Sequence, residues 1–444
     1  MRIQLSDHFT YPRLLRFVFP SIVMMIFTSI YGVVDGLFVS NLIGKTPFAA
    51  INLIWPYLMG LTVVGFMIGS GGTALISRSL GEGKRSRANE EFSLLVYVSI
   101  GIGLVLTVIG LVTLRPVAAL MGAEGELLDI AVRYGRIVAL ALTPFMLQTT
   151  FQTFFITAEK PKLGLLVTVL AGLTNMVLDA LFIAVLRWGV EGAALATALS
   201  QFVGGIIPLV YFARPNSSLL RLGKTKWNGR ALLQTCTNGS SELMTNLSMS
   251  VVNALYNLQL LRLAGENGVA AYGVIMYANF IFVAIFVGYA IGSAPIVGYH
   301  FGADNTDELK NLFRKSLTLM AVCGIVMLAL GVWLAPPLSR LFVGYDAELL
   351  ALTTRGFQLY SLSFLLMGFN IFSSAFFTAL SNGPVSAAIS FLRTLLFQVA
   401  AIFLLPLLLP DADGVWLAVV TAEALALVVT VFFFVKLKNR YQYA

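Results

Sequence analysis

Two carboxylates, Asp35 and Asp179, lie inside long apolar runs, and Asp35 has no Lys or Arg within a helical turn. Asn175 stands four residues before Asp179, which places it on the same helix face one turn deeper. Thr197 falls near the start of the next apolar run. Counted inward from Asn41, Arg187 and Glu191 at 1.5 Å per residue, Asp35, Asp179 and Thr197 all lie roughly 9–12 Å below one membrane surface. Three segments thus bring two carboxylates, an amide and a hydroxyl to similar depth. Such a set is rich in oxygen and lacks thiol or imidazole, so it suits a hard cation or a shared proton, H⁺ or Na⁺, and not a transition metal. A carboxylate in the middle of a span costs at least ~2.5 kcal/mol, and two of them close together in low dielectric do not both stay ionised cheaply. The plainer alternative is that Asp35 and Asp179 reach the headgroups or cap kinked helices.

Other in-span residues could act with this set. Glu242 is the candidate for a second ion or substrate carboxylate, its alternative being a carboxylate at a helix start near the surface. Arg393 and Glu423 could pair with each other across helices. Tyr31, one turn before Asp35, and Gln148 and Gln152 are candidates to line a substrate cavity, and Pro20 is a candidate hinge on the segment that carries Asp35. No catalytic group or metal cluster is expected, which argues against an enzyme: His8 and His300 lie at or near polar segments, and Cys236 and Cys323 read as helix-packing residues. No cofactor is implied beyond the coupling ion, and no metal beyond Na⁺ at the cation site.

The elements that must position these residues are membrane helices. Of the 444 residues 58% are hydrophobic and only 11% charged, and the mean hydropathy is +0.87; a soluble chain carries about a quarter charged residues. Apolar runs of roughly 20 residues, the length that crosses a bilayer, fall near 14–40, 48–77, 93–114, 127–155, 163–186, 192–213, 231–261, 268–299, 316–337, 348–377, 385–409 and 414–435. All twelve are expected to be helices, because lipid offers backbone groups no partners. Twenty Lys and Arg fall on the side of the termini, against Lys45, Arg115, Arg187, Arg262 and Arg340 on the other. The positive-inside rule then puts both termini in the cytoplasm. The net charge of +8 is thereby a topology signal and not one of nucleic-acid binding.

The polar segment 214–230 divides the chain into two sets of six spans, and the sets resemble each other at a shift of about 222 residues. SLGEGKRSRANEEF at 79–92 answers to HFGADNTDELKNLF at 300–313, with Gly81 opposite Gly302, and MIGSGG at 67–72 answers to AIGSAP at 290–295. LMGAEGELLDIAVRYG at 120–135 answers to LFVGYDAELLALTTRG at 341–356. An even number of spans per unit makes these parallel repeats, a plan that transporters use with a cavity between the halves. The expected fold is an all-α integral membrane protein of two pseudo-symmetric six-helix bundles, residues 1–213 and 231–444, joined by a cytoplasmic linker at 214–230. The second half does not repeat the acidic set: Asp35 falls opposite Tyr256 and Asn257, and Asp179 opposite Ala401.

VVDGLFVSNLIG at 33–44, GGTALISRSLGEGKRSRANE at 71–90, TNMVLDALFI at 174–183 and GVEGAALAT at 189–197 resemble the multidrug and toxic compound extrusion (MATE) family over essentially the whole chain. The resemblance implies a secondary antiporter of the plasma or inner membrane that expels organic, often cationic, compounds in exchange for H⁺ or Na⁺. It implies a cation site at Asp35, Asn175, Asp179 and Thr197, and a cavity lined by Tyr31, Tyr134 and Gln152. The expected partners are small-molecule drugs and the lipid bilayer, the expected state a monomer. The alternative is a flippase for a lipid-linked saccharide, which would want a basic cavity; in-span basic residues are few, and Arg393 is the clearest of them.

Overall fold

The structure, a computed structural model, describes residues 3–409 and 412–444, and of Ser40 and Lys45 the backbone alone. Arg2, one of the twenty basic residues counted on the side of the termini, and the Lys45 side chain fall outside that description. Helices α1 (Tyr11–Leu42), α2 (Lys45–Gly81) and α3 (Arg85–Leu120) are followed by the bent pair α4 (Gly125–Ala139) and α5 (Leu142–Thr157), then α6 (Pro161–Asp179) and α7 (Gly189–Ala213). After the linker come α8 (Gly229–Gly302), α9 (Thr306–Val343), the bent pair α10 (Ala347–Ser361) and α11 (Phe364–Ala379), α12 (Gly383–Phe391), α13 (Phe397–Leu404), α14 (Asp413–Trp416) and α15 (Ala418–Tyr441). Among the described residues there is no strand.

Among the described residues nine helical stretches are long and apolar enough to cross a membrane, and two bent pairs, broken by 56° and 47°, add one span each. The 74-residue α8 is itself interrupted at Gly265, whose φ of 61° and ψ of −151° no helix contains, a conformation that glycine alone adopts without strain. Counting α8 as two gives the twelve spans read from the sequence. The two long runs at 127–155 and 348–377 end up as the bent pairs. Asn228, Asn305, Asp346 and Asn382 cap the helices that follow them by accepting from backbone N–H groups, which satisfies donors that the first helical turn leaves over.

The repeat is visible in the packing. Phe92 meets Phe154 at 5.4 Å and Phe212 at 5.0 Å between ring centroids. Their counterparts repeat the pattern: Phe313 meets Phe376 at 5.3 Å and Phe434 at 4.9 Å. Each such ring contact adds about 0.5–1.5 kcal/mol beyond burial.

The two halves touch backbone to backbone near the termini. A Cβ placed on Gly81 would lie 1.9 Å from Tyr299 O, and one on Gly302 would lie 2.1 Å from Arg78 O. The glycines that the sequence repeat pairs are therefore in reciprocal contact, as a two-fold relation between the halves requires. Gly71 against Thr235 O (2.0 Å) and Gly239 against Met67 O (2.0 Å) extend the seam between α2 and α8. Away from the termini the fit loosens: nothing lies within 4 Å of a Cβ on Gly32, Gly36 or Gly60.

Residues 3–10 strap the seam on the terminal face. Leu5 N donates to Glu159 Oε1 (2.7 Å) at the end of α5, and Phe9 N to Glu308 Oε1 (2.9 Å) on α9. His8 Nδ1 lies 2.6 Å from Glu308 Oε2, and Lys315 Nζ donates to Phe9 O at 2.6 Å. Leu5 and Phe9 are fully buried, and Phe9 stacks edge-on against the buried His300. Glu308→Ala leaves the buried Phe9 N–H without an acceptor, a loss of about 1–3 kcal/mol. It is expected to lower the melting temperature in detergent, while Glu308→Gln, which keeps an acceptor, falls less. Of the two cysteines, Cys323 is half-buried as a packing residue, but Cys236 is exposed on α8 and is not a packing residue.

Candidate cation site

Asp35 lies on α1, seven residues before its end, and its side chain stands beside Asp179 and Asn175 on α6. The approach of α1 to α6 depends on Gly172, where a Cβ would stand 2.5 Å from the Phe27 ring and 3.0 Å from Tyr31. Asp179 ends the regular part of α6, and the chain continues as a π-helical segment, Ala180–Val185. Such bulges interrupt the i→i−4 ladder and gather at functional sites. α7 supplies Thr197 and α4 supplies Tyr134, whose hydroxyl lies within reach of Thr197 and whose ring sits in the field of both Asp35 and Asp179. Tyr31 lies beside Asp35.

Asp179 is fully buried, Asn175 3% exposed and Tyr134 2% exposed. Yet Asp35 Oδ1, Asn175 Oδ1 and both oxygens of Asp179 are buried without a hydrogen-bond partner, and no Lys or Arg is among the groups acting on either carboxyl. Buried acceptors in native structures are almost always paired. Four unpaired oxygens converging from two helices form a cradle for something positive. Among the described residues no group of three His, Cys, Asp or Glu is arranged to hold a metal ion; the groups that meet here are two carboxylates and an amide, with Thr197 beside Tyr134.

The remaining candidates are placed differently. Gln148 is buried against Gly204, where a Cβ would lie 2.4 Å from its Cδ, and Gln152 Nε2 donates to Thr168 Oγ1 at 3.3 Å. Both therefore face α6 and α7, and neither is among the groups acting on Asp35 or Asp179. Pro20 is buried within an unbroken α1. Glu242 lies thirteen residues into α8, roughly 20 Å from its start at 1.5 Å per residue, and so is not a helix-start carboxylate. It sits in the field of Arg393, and Arg393 Nη1 pairs with Glu423 Oε1 at 3.1 Å, the pairing expected from the sequence. Sequence reasoning missed Asn370, whose Nδ2 donates to Glu423 Oε2 at 2.7 Å. Its signal was an amide in a span at about the repeat offset from Gln148.

A sequence model of the MatE family matches residues 20–181 and again residues 243–404, two stretches set apart by about the offset of the motifs. The multidrug export protein MepA of Staphylococcus haemolyticus (strain JCSC1435) is 26% identical over 432 residues, covering 96% of this chain and 94% of that protein. The protein of the same name from Staphylococcus aureus (strain NCTC 8325 / PS 47) is 23% identical over 430 residues, with the same coverage of 96% and 94%. The fold superimposes on a crystal structure of a MATE in complex with MaL6 with a TM-score of 0.92, at 22% identity over 97% of each chain. It also matches the outward-facing conformation of a multidrug resistance MATE family transporter of the MOP superfamily, with a TM-score of 0.91 at 22% identity, over 97% of this chain and 96% of that one. The family matches together take in well over half of the sequence, and this chain belongs to the MatE family.

Proposed function

We propose that this transporter is a secondary antiporter that exports organic, often cationic, drugs from the cell in exchange for entering H⁺ or Na⁺. The relatives named for multidrug export support the substrate class. The single observation that carries the exchange is the set of buried, unpartnered oxygens at Asp35, Asn175 and Asp179. A buried carboxylate with no partner costs several kcal/mol, so the stable state of this site is one neutralised by a proton or a small cation. Thr197, Tyr134 and Tyr31 complete its wall. With the termini in the cytoplasm, the reciprocal glycine seam seals the cytoplasmic side, and the loosely packed side faces outward. An ion entering from outside then neutralises the carboxylates and releases a drug cation held by them. The ion-loaded protein turns inward, rocking the halves about the seam, with Pro20 as a bend point in α1. Inside, the ion leaves and drug rebinds.

The test is uptake of a fluorescent dye cation into everted vesicles under an imposed pH gradient or an imposed Na⁺ gradient. One of the two is expected to drive accumulation. Dye movement that ignores both gradients overturns antiport.

A further inference from the structure

The second half carries a polar centre of opposite character to the first. Glu423, 1% exposed, gives one oxygen to Arg393 Nη1 (3.1 Å) and the other to Asn370 Nδ2 (2.7 Å). Thr430 Oγ1 fixes Asn370 by donating to its Oδ1 at 3.0 Å. Arg393 also acts on Glu242 of α8, and Tyr360 and Tyr256 are the other titratable groups around the pair. In each half the fifth span provides the charged group, next to a π-helical segment: Asp179 borders Ala180–Val185, and Arg393 lies within Leu392–Leu396. The first half presents an acid there with unpartnered oxygens, the second a guanidinium tethered through Nη1 to one carboxylate, with a second carboxylate in its field.

We propose that Arg393 is a resident cation that fills the polar centre of the second half, so that the coupling ion is exchanged in the first half alone. A guanidinium held by its own chain supplies the positive charge that Glu423 requires, and its field reaches Glu242 as well. A mobile ion entering beside it would meet a like charge in a low-dielectric surrounding. Removing the guanidinium leaves two carboxylates and an amide, the donor types that Asp35, Asp179 and Asn175 offer. The inference rests on the antiport reading of the first-half site.

The experiment counts cations bound per purified, drug-free transporter, by ²²Na⁺ binding and by pH-metric titration against variants. The expected counts are one for wild type, none for Asp35→Asn, two for Arg393→Gln, and one for Arg393→Lys and for the double variant Arg393→Gln/Glu423→Gln. A wild-type count of two that falls to one in Asp35→Asn overturns the role of Arg393 and leaves the first-half site intact. A wild-type count of one that Asp35→Asn does not change overturns the first-half site itself. A folded Arg393→Gln that still binds one cation overturns the inference. Should that variant not fold, the wild-type and Asp35→Asn counts decide alone.

Discussion

Asp35→Asn is expected to reduce gradient-driven drug export about 5- to 150-fold, the range spanned by a coupling free energy of 1–3 kcal/mol. The substitution keeps the size of the side chain and removes the charge that the ion must neutralise. Asp179→Asn is expected to have the same effect, because its two unpartnered oxygens face the same centre. Thr197→Val removes a neutral donor beside Tyr134 and should cost less than either. Passive exchange of dye down its own gradient should survive in the Asn variants, since that cycle needs rocking and not ion binding. Initial rates in vesicles containing equal amounts of transporter provide the measure. Export in Asp35→Asn at the wild-type rate under the same gradient would remove this residue from the coupling site.

The second large effect concerns the seam. Gly81→Ala combined with Gly302→Ala places methyl groups where 1.9 Å and 2.1 Å separate a Cβ from the carbonyls of Tyr299 and Arg78. Backbone carbonyls on two packed helices have no rotamer with which to yield, so the helices must separate by about 1 Å, an overpacking cost of about 1–3 kcal/mol. That cost falls only on the state in which the terminal face is closed. The population is therefore expected to move toward the state open on that face, by a factor of about 5 to 150. Spin labels on the exposed Ser86 and Asp307, in the first turns of α3 and α9, placed in a background without Cys236 and Cys323, read the change as a longer distance in the double variant. An unchanged distance distribution in a folded variant would mean that the seam does not govern the transition.

The twelve spans were legible because lipid leaves only one solution for an apolar run of that length. The repeat was legible as motifs, and the structure turned one of its pairs, Gly81 and Gly302, into a contact. The approach of Asp35 to Asn175 and Asp179 was legible by depth, since every in-span carboxylate needs a partner; Thr197, expected at the same depth, stands beside Tyr134. Tyr134 was not reached that way. It entered through the family resemblance, because depth along a run does not tell which face of a helix turns inward. The strap of residues 3–10 was also hidden, since its bonds to Glu159 and Glu308 join positions far apart in the chain. Asn370 escaped for another reason: a neutral amide in a span carries no charge penalty that calls for explanation.

In the proposed exchange, drug and ion compete for one acidic centre in the first half. Binding is reciprocal, so a drug that loses affinity when the ion binds must expel the ion when it binds. A dye cation added to purified wild-type protein in lightly buffered detergent should release protons, or bound ²²Na⁺, in step with the rise in dye fluorescence anisotropy. In Asp35→Asn the release should vanish while some dye binding remains. Dye binding to the wild type with no release of either ion, or equal release in Asp35→Asn, would contradict the account.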